Sequence, residues 1–175
     1  MSECEVERAV QNKVSKGLGY LAVALLGVLA AVAGVVSYQA GRVDFETVTG
    51  KQYRWETLEQ QWVVVNYFAE WCSPCLKEIP ELNHFFRTRP GDVQLFGVSY
   101  DLLSVADVQA LKQKYHIEYD LIVADENTRL PVSKPQYLPA TFVIGPDGTI
   151  AAELMGEISS KRLVEVLEKL KSKPL

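Results

Sequence analysis

The most informative part of the sequence is Phe68-Ala69-Glu70-Trp71-Cys72-Ser73-Pro74-Cys75. It follows directly on Trp62–Phe68, a run of β-branched and aromatic residues that predicts a strand buried on both faces of a sheet. From Ser73 to about Arg87 the sequence predicts a helix, because apolar residues recur at helical spacing: Leu76, Ile79, Leu82 and Phe86. The two cysteines therefore lie where a buried strand passes into a helix.

The spacing of the cysteine pair predicts redox chemistry. Two intervening residues allow both thiols to come within disulfide distance in the first helical turn. Cys72 lies at or just before the start of the helix, where free amide N–H groups and the helix dipole favour the thiolate over the thiol. Cys75, one turn further on, can attack a mixed disulfide formed on Cys72. Pro74 is compatible with the first turn, where its missing N–H costs nothing.

A zinc site and a plain structural disulfide are the alternatives for this pair. Tetrahedral zinc needs two further ligands, and the remaining candidates are His84, His116 and Cys4. His84 follows Cys75 by nine residues on the same predicted helix, too far along it to share a site. Closing so short a loop adds little stability. Redox chemistry is favoured and no metal ligand set is predicted, although a metal-binding or metallochaperone module using Cys72 and Cys75 stays open.

A second decisive segment, Gly17–Gly41, contains no Asp, Glu, Lys or Arg over 25 residues. A bilayer-spanning helix needs about 20 mostly apolar residues, so this segment predicts a transmembrane signal anchor after a short tail, residues 1–16. A cleaved signal peptide is the alternative, since Ala31-Val32-Ala33 fits a small-x-small cleavage pattern. The long acidic leader, and the continuation of the apolar run to Val36, favour the uncleaved anchor.

The remaining 134 residues, 42–175, have the size of one domain with a full core. They carry the whole formal net charge of −4 and contain no basic stripe, which excludes nucleic acid as a partner. Basic residues flank the apolar segment almost equally on both sides, so the positive-inside rule does not set its orientation. A short internal tail with an exported domain is the simpler topology.

Elsewhere the pattern alternates strands and helices and closes with a hairpin and a helix, which predicts an α/β sheet that is parallel at its centre. The predicted elements are a hairpin from Phe45 to Tyr53 around Gly50, strands at Asp92–Val98 and Leu121–Val123, a helix at Val105–Tyr115, a hairpin of Ala140–Ile144 with Thr149–Leu154, and a final helix capped by Ser159 or Ser160.

Two motifs in this order resemble the thioredoxin superfamily. Ala69–Cys75 together with Pro80 is similar to its active site, and Tyr137–Phe142 is similar to its cis-proline loop. The predicted anchor, Glu78 and the long segment between the motifs resemble the TlpA/ResA/CcmG branch, which comprises anchored thiol–disulfide oxidoreductases of bacterial extracytoplasmic spaces. The resemblance covers roughly residues 43–171. It implies a thioredoxin-like fold, a mixed sheet flanked by helices with a βα unit inserted around residues 104–123, behind one transmembrane helix.

The resemblance also implies roles for individual residues. Cys72 would be the attacking thiol and Cys75 the resolving thiol, with their disulfide as the redox centre and no other cofactor. Thioredoxins carry a buried aspartate at the position of Asn66, and Glu78 resembles the acidic residue that the TlpA branch uses instead. An ordinary solvated helix glutamate is the alternative for Glu78, and Glu70 is expected to be exposed at the rim of the site.

The same family resemblance implies which residues contact the substrate chain. Pro139 is expected to be cis and packed against the disulfide, and Leu138 to offer its backbone groups to the substrate. The implied substrate-binding residues are Trp71, Ser73, Pro74, Leu138 and Pro139.

The predicted function is reduction of disulfides in exported proteins, with a membrane electron donor of the DsbD type restoring the dithiol. The catalytic domain would face the periplasm from the inner membrane. A disulfide-forming oxidase is the alternative within the class. The segment Gln136-Tyr137-Leu138 lacks the signature of the cytochrome-maturation members, so it does not favour apocytochrome c as the particular substrate.

Overall fold

The computed structural model describes residues 24–36 and 42–172. The chain divides into two compact units, Met1–Arg42 and Val43–Leu175. In the first unit, residues 24–36 form a helix, α1, with exposed side chains. Within the described ranges, no helix combines the length and the apolar character that crossing a membrane requires. The rest of the predicted anchor Gly17–Gly41, and the predicted tail of residues 1–16, lie outside the described residues.

The strands described in the second unit form one seven-stranded sheet, in the order β2-β1-β5-β4-β3-β6-β7. The strands are β1 Phe45–Thr47, β2 Gln52–Tyr53, β3 Trp62–Phe68, β4 Val93–Ser99, β5 Asp120–Val123, β6 Ala140–Ile144 and β7 Ile150–Met155. The helices of this unit are α2 Trp55–Leu58, α3 Ser73–Thr88, α4 Val105–Lys114 and α5 Ser160–Lys171.

The predicted parallel centre is confirmed, because β3 pairs in parallel with β4, and β4 with β5. The flanking pairs β3–β6, β6–β7, β1–β5 and β1–β2 are antiparallel. Every residue of β3 is buried, as its nearly continuous run of apolar side chains predicts. Gly97 lies in β4 opposite Asn66. A Cβ at this position would come within 2.6 Å of Leu121 Cδ2 and 2.9 Å of Tyr119 Cε2, so the packing requires glycine.

The two faces of the sheet carry separate apolar cores. One face packs under α3, α4 and α5, with Leu82, Leu111 and Leu163 among its buried side chains. The other face is covered by α2 and by the segment between β5 and β6, through Leu58 and Val132. The strand β3 contributes alternate side chains to both cores and so lies at the centre of the domain.

The predicted elements are present with small shifts at their ends. The final helix has Ser159 as its N-cap, its side chain accepting a hydrogen bond from Arg162 N, and the turn of the first hairpin contains Gly50 at φ 79°. The span expected to hold an inserted βα unit contains α4 and β5. The short helix α2 was not predicted, because a single turn of four residues shows no helical periodicity.

Candidate active site

The cysteine pair lies at the N-terminus of α3. Cys72 is the N-cap residue, and its Sγ accepts a hydrogen bond of 3.3 Å from the Cys75 backbone N–H. The two residues form a disulfide with their Cα atoms 5.3 Å apart. Cys72 retains 6% exposure whereas Cys75 has none, so only the first cysteine can be reached from outside. Pro74 lies in the first helical turn, as predicted.

The loop between β3 and α3 is held against neighbouring elements. Tyr100 N–H donates to the Phe68 carbonyl at 2.7 Å, which continues the β3–β4 pairing to the end of the strand. Cys72 N–H donates to the Ala69 carbonyl at 3.1 Å and closes a tight turn. The disulfide therefore lies directly after the buried strand β3, at the sheet edge where the parallel strands have their carboxyl ends.

The second motif reaches the same edge of the sheet. The Leu138–Pro139 peptide bond is cis, which confirms the expectation from the resemblance. Ala140, the next residue, pairs with Tyr67 near the end of β3. Gly156 N–H donates to the Pro139 carbonyl at 2.9 Å. Pro139 is buried and Leu138 half-buried; the contact of Pro139 with the disulfide stays a prediction.

The rim of the site combines an exposed indole with an exposed ion pair. Trp71 is 65% exposed, and its Nε1–H donates to Asp101 Oδ2 at 2.8 Å. Glu70 accepts hydrogen bonds from Lys114 Nζ at 2.6 Å and from Tyr115 OH at 3.0 Å, which lower the pKa of its carboxyl. Such exposed pairs stabilise a fold little. Of the other expected substrate contacts, Ser73 is exposed and Pro74 is half-buried.

Glu78 is buried, with 2% exposure, and is not the solvated helix glutamate of the alternative prediction. Its Oε1 accepts from Asn66 Nδ2 at 2.7 Å, and its Oε2 accepts from Ile158 N–H at 3.0 Å. Burial disfavours the charged carboxylate more than these two bonds favour it, and raises the pKa of Glu78 to about 7. The group can therefore exchange a proton near neutral pH.

Asn66 has a role that the sequence reasoning missed. Its Nδ2 donates both to Glu78 and, at 3.0 Å, to Thr141 Oγ1 on the neighbouring strand β6. Asn66 is fully buried, and its Oδ1 has no hydrogen-bond partner among the described residues. The available signal was a polar side chain in the middle of an otherwise apolar buried strand, where polar groups need partners.

Both histidines, His84 and His116, are exposed. Across residues 24–36 and 42–172, no three or more His, Cys, Asp or Glu side chains lie together in a way that could hold a metal ion. The remaining zinc-ligand candidate, Cys4, lies outside these ranges.

Comparison with known proteins agrees with this geometry. The AhpC/TSA family matches residues 36–153. Over 122 residues the chain is 25% identical to the thiol-disulfide oxidoreductase ResA of Bacillus thuringiensis subsp. konkukian (strain 97-27), covering 69% of this chain and 70% of that protein.

Two solved structures share the fold. StoA from Bacillus subtilis superposes with a TM-score of 0.61 at 17% identity, covering 70% of this chain and 93% of that one. A thiol-disulfide isomerase from Corynebacterium glutamicum gives 0.62 at 20% identity, covering 76% and 96%.

The mixed sheet, the disulfide at the start of α3 and the cis-proline loop define a thioredoxin-like oxidoreductase that acts through a pair of thiols. The chain belongs to the AhpC/TSA family, and within the thioredoxin superfamily it is a TlpA/ResA-like member.

The raised pKa of Glu78 predicts a pH-dependent stability. The folded protein holds this proton up to about pH 7, whereas the ordinary pKa is 4.5. Because the folded state binds the proton more tightly, the contribution of Glu78 is full below about pH 4.5 and is lost as pH rises to about 7. We expect the wild type to lose about 3 kcal/mol over this interval relative to Glu78→Gln. Urea unfolding from pH 4 to 8 measures the difference.

Glu81→Gln is the matched control, because Glu81 lies one turn further along α3, is exposed, and accepts a hydrogen bond from Ser160 N–H. This variant should retain the wild-type pH dependence. Parallel pH curves for wild type and Glu78→Gln would contradict the assigned pKa.

Proposed function

We propose that this protein is a membrane-anchored thiol–disulfide oxidoreductase that reduces disulfides in exported proteins. The observation that carries the proposal is the placement of a buried, protonatable carboxylate, Glu78, one helical turn beyond the buried Cys75. A disulfide that only stabilises the fold does not require a carboxylate beside it. A resolving thiol does, because it must lose a proton in an apolar environment. That loss is costly without a nearby acceptor.

The first step is attack by Cys72. In the disulfide form its sulfur lies at the N-terminus of α3 and accepts a hydrogen bond from the Cys75 N–H. After reduction, the same N–H and the helix dipole would stabilise a thiolate on Cys72. The Cys72 thiolate attacks one sulfur of the substrate disulfide, the substrate S–S bond breaks, and the departing substrate thiolate takes a proton from solvent. A mixed disulfide between Cys72 and the substrate is the product.

The second step is resolution by Cys75. The Cys75 thiol transfers its proton to Glu78 and attacks the Cys72 sulfur, which releases the second substrate thiolate. Two electrons have then passed to the substrate and the Cys72–Cys75 disulfide has formed. Asn66 has no titratable group and cannot take the proton, but its hydrogen bond holds the Glu78 carboxylate in place. Return to the dithiol requires an electron donor, for which we propose a membrane protein of the DsbD type.

The substrate chain would lie between the two loops at this edge of the sheet. Trp71, Ser73 and Pro74 adjoin Cys72 in the sequence, and we propose that Leu138 and the cis Pro139 border it on the other side. The backbone groups of Leu138 are the proposed hydrogen-bonding edge for an extended substrate segment, a mode of recognition that leaves side-chain specificity to neighbouring surfaces.

The proposed organisation is a tail of residues 1–16, an anchor at Gly17–Gly41 and a catalytic domain of residues 42–175 on the periplasmic side of the inner membrane. The support is the uncharged length of Gly17–Gly41, which suffices to cross a bilayer. The exported location also suits a disulfide enzyme, since disulfides persist in oxidising compartments. The ResA and StoA similarities point in the same direction.

The two cysteines should give opposite mutant phenotypes. We expect Cys72→Ser to abolish reduction of a disulfide-bonded protein, because the more exposed thiol of the pair is lost and Cys75 is buried. Cys75→Ser should accumulate mixed disulfides, because attack proceeds and resolution does not. Non-reducing electrophoresis and mass spectrometry of trapped adducts measure both.

Faster alkylation of Cys75 than of Cys72 in the reduced protein would reverse the assigned order. The direction of electron flow has its own readout in the reduction potential of the pair. DsbA, an oxidase, has a reduction potential of about −120 mV, and thioredoxin, a reductase, has one of about −270 mV. A potential of the Cys72–Cys75 pair close to that of DsbA would make the protein an oxidase.

Glu78→Gln should slow the resolution step around neutral pH. Proton acceptance contributes roughly 10²–10⁴-fold in rate, and we expect the lower end because hydroxide and water can substitute. Stopped-flow reduction of a model disulfide from pH 5 to 9 measures the profile. The wild-type rate should rise through the pKa of Glu78, and the variant should lose this inflection.

Glu70→Gln is the comparison here, since Glu70 is exposed and paired with Lys114. It should keep both rate and profile. An inflection that persists in Glu78→Gln would remove this residue from the mechanism.

The topology predicts the behaviour of reporter fusions at Leu175. A reporter enzyme that is active only outside the cytoplasm should give signal, because the Gly17–Gly41 span would export the domain. A cytoplasmic reporter at the same position serves as the reciprocal control. Signal from the cytoplasmic reporter alone would overturn both the topology and the proposed donor.

A further inference from the structure

A cavity of about 340 Å³ opens at the carboxyl ends of β3 and β4. Its walls include Tyr67, Tyr100, Leu102, Val132 and Lys134. Ligand pockets in proteins typically span about 300–1,000 Å³, so this volume suits one or two amino-acid side chains. We refer to it as the Tyr67 cavity.

The Tyr67 cavity adjoins both loops of the active site. Its wall residue Tyr100 packs edge-on against Trp71, with ring centroids 5.9 Å apart, and Trp71 directly precedes the first cysteine. Tyr67 itself pairs with Ala140, the residue after the cis Pro139. The ring contact of Trp71 with Tyr100 therefore links the cavity wall to the loop that carries Cys72, although Tyr67 belongs to the core on the opposite face of the sheet.

Tyr67 and Lys134 are donors of the cavity wall without a protein acceptor among the described residues, and the buried hydroxyl of Ser99 in the same wall also has no partner there. Tyr67 is 6% exposed, and its hydroxyl forms no hydrogen bond with any residue in those ranges. Lys134 Nζ lies 3.8 Å from the centroid of the Tyr100 ring and has no carboxylate partner in the same ranges. A tyrosine hydroxyl open to solvent and an exposed ammonium group, both donating, complement a carboxylate.

The other charged groups of the cavity wall are already engaged. Arg129 Nη1 lies 3.6 Å from Asp44 Oδ1. Asp125 Oδ1 accepts hydrogen bonds from the backbone N–H groups of Asn127 and Thr128 and from the Thr128 hydroxyl. These local bonds hold the Asp125 carboxylate in its own turn. Lys134 is therefore the basic side chain of this wall that has no carboxylate partner among the described residues, while the Asp125 carboxylate keeps its negative charge within its own turn.

We propose that the Tyr67 cavity binds an acidic side chain of the polypeptide substrate, adjacent to an apolar residue and close to the disulfide being reduced. The inference rests on the proposed function and adds a substrate preference to it. The carboxylate would accept from Tyr67 and Lys134, while the apolar neighbour would cover exposed surface beside the mouth. Leu102 and Trp71, which are 75% and 65% exposed, provide that surface.

Binding of paired peptides to the full-length oxidised protein in detergent tests this proposal. The two cysteine-free ten-residue peptides differ only in carrying Glu-Leu or Gln-Leu at their centre, and fluorescence anisotropy of a terminal dye reports affinity. We expect the glutamate peptide to bind about fivefold more tightly, as one partly exposed charged contact allows. Added salt should reduce the ratio.

Two variants test whether the preference for the glutamate peptide depends on the Tyr67 cavity. Lys134→Met and Tyr67→Phe should each bring the ratio of affinities towards one, and both preserve most of the side-chain volume. Lys169→Met is the matched control, because Lys169 is an exposed lysine on α5, far along the chain from the cavity wall, and should leave the ratio unchanged.

Equal affinity of the wild type for both peptides would overturn the proposal, as would a preference that survives both cavity variants. Competition by free N-acetylglutamate amide as strong as that of the peptide would also overturn it, because the occupant would then be a small carboxylate. The proposed function would fail by a separate result, namely if the wild type reduced no disulfide. The two tests are independent, because binding of cysteine-free peptides requires no redox turnover.

Discussion

The hydrogen bond between Asn66 and Glu78 joins the central strand β3 to the helix α3 that carries the disulfide. Both side chains are buried, and a buried polar group without a partner costs roughly 1–3 kcal/mol. The same pair reaches further, since Asn66 also donates to Thr141 on β6 and Glu78 also accepts from Ile158 before α5. The strands β3 and β6, the helix α3 and the segment before α5 are therefore linked through the Asn66–Glu78 pair, which fixes the position of the Glu78 carboxylate relative to the cysteines.

This arrangement divides the domain into two functional faces. The face covered by α3 and α5 is where burial of Glu78 creates a proton-exchanging group near neutral pH. The opposite face of β3 carries Tyr67 and the cavity beside the active site. Side chains alternate along a strand, so the adjacent residues Asn66 and Tyr67 point to opposite faces. In our proposal Asn66 positions the proton acceptor Glu78, and Tyr67 contributes to substrate recognition.

The proposed chemistry of the site depends on a contrast in exposure along the first two turns of α3. Cys72 is slightly exposed at the start of α3. Cys75 and Glu78 follow three and six residues later on the same side of the helix, and both are buried. In our proposal, attack on a large substrate uses the exposure of Cys72, and transfer of a proton away from solvent uses the burial of Cys75 and Glu78. At 25% identity to ResA, this geometry and the family match together assign the class.

The local sequence determined the strand–helix junction, the turn at Gly50 and most of the strands and helices, because each depends on side-chain periodicity or on a backbone preference within a few residues. It did not predict α2, which is too short to show a period. Tertiary structure alone decided that Glu78 is buried rather than solvated, that Asn66 holds it, and that Lys134 meets Tyr100. Those outcomes depend on desolvation and on contacts between residues distant in the chain, and neither leaves a periodic signal in the sequence.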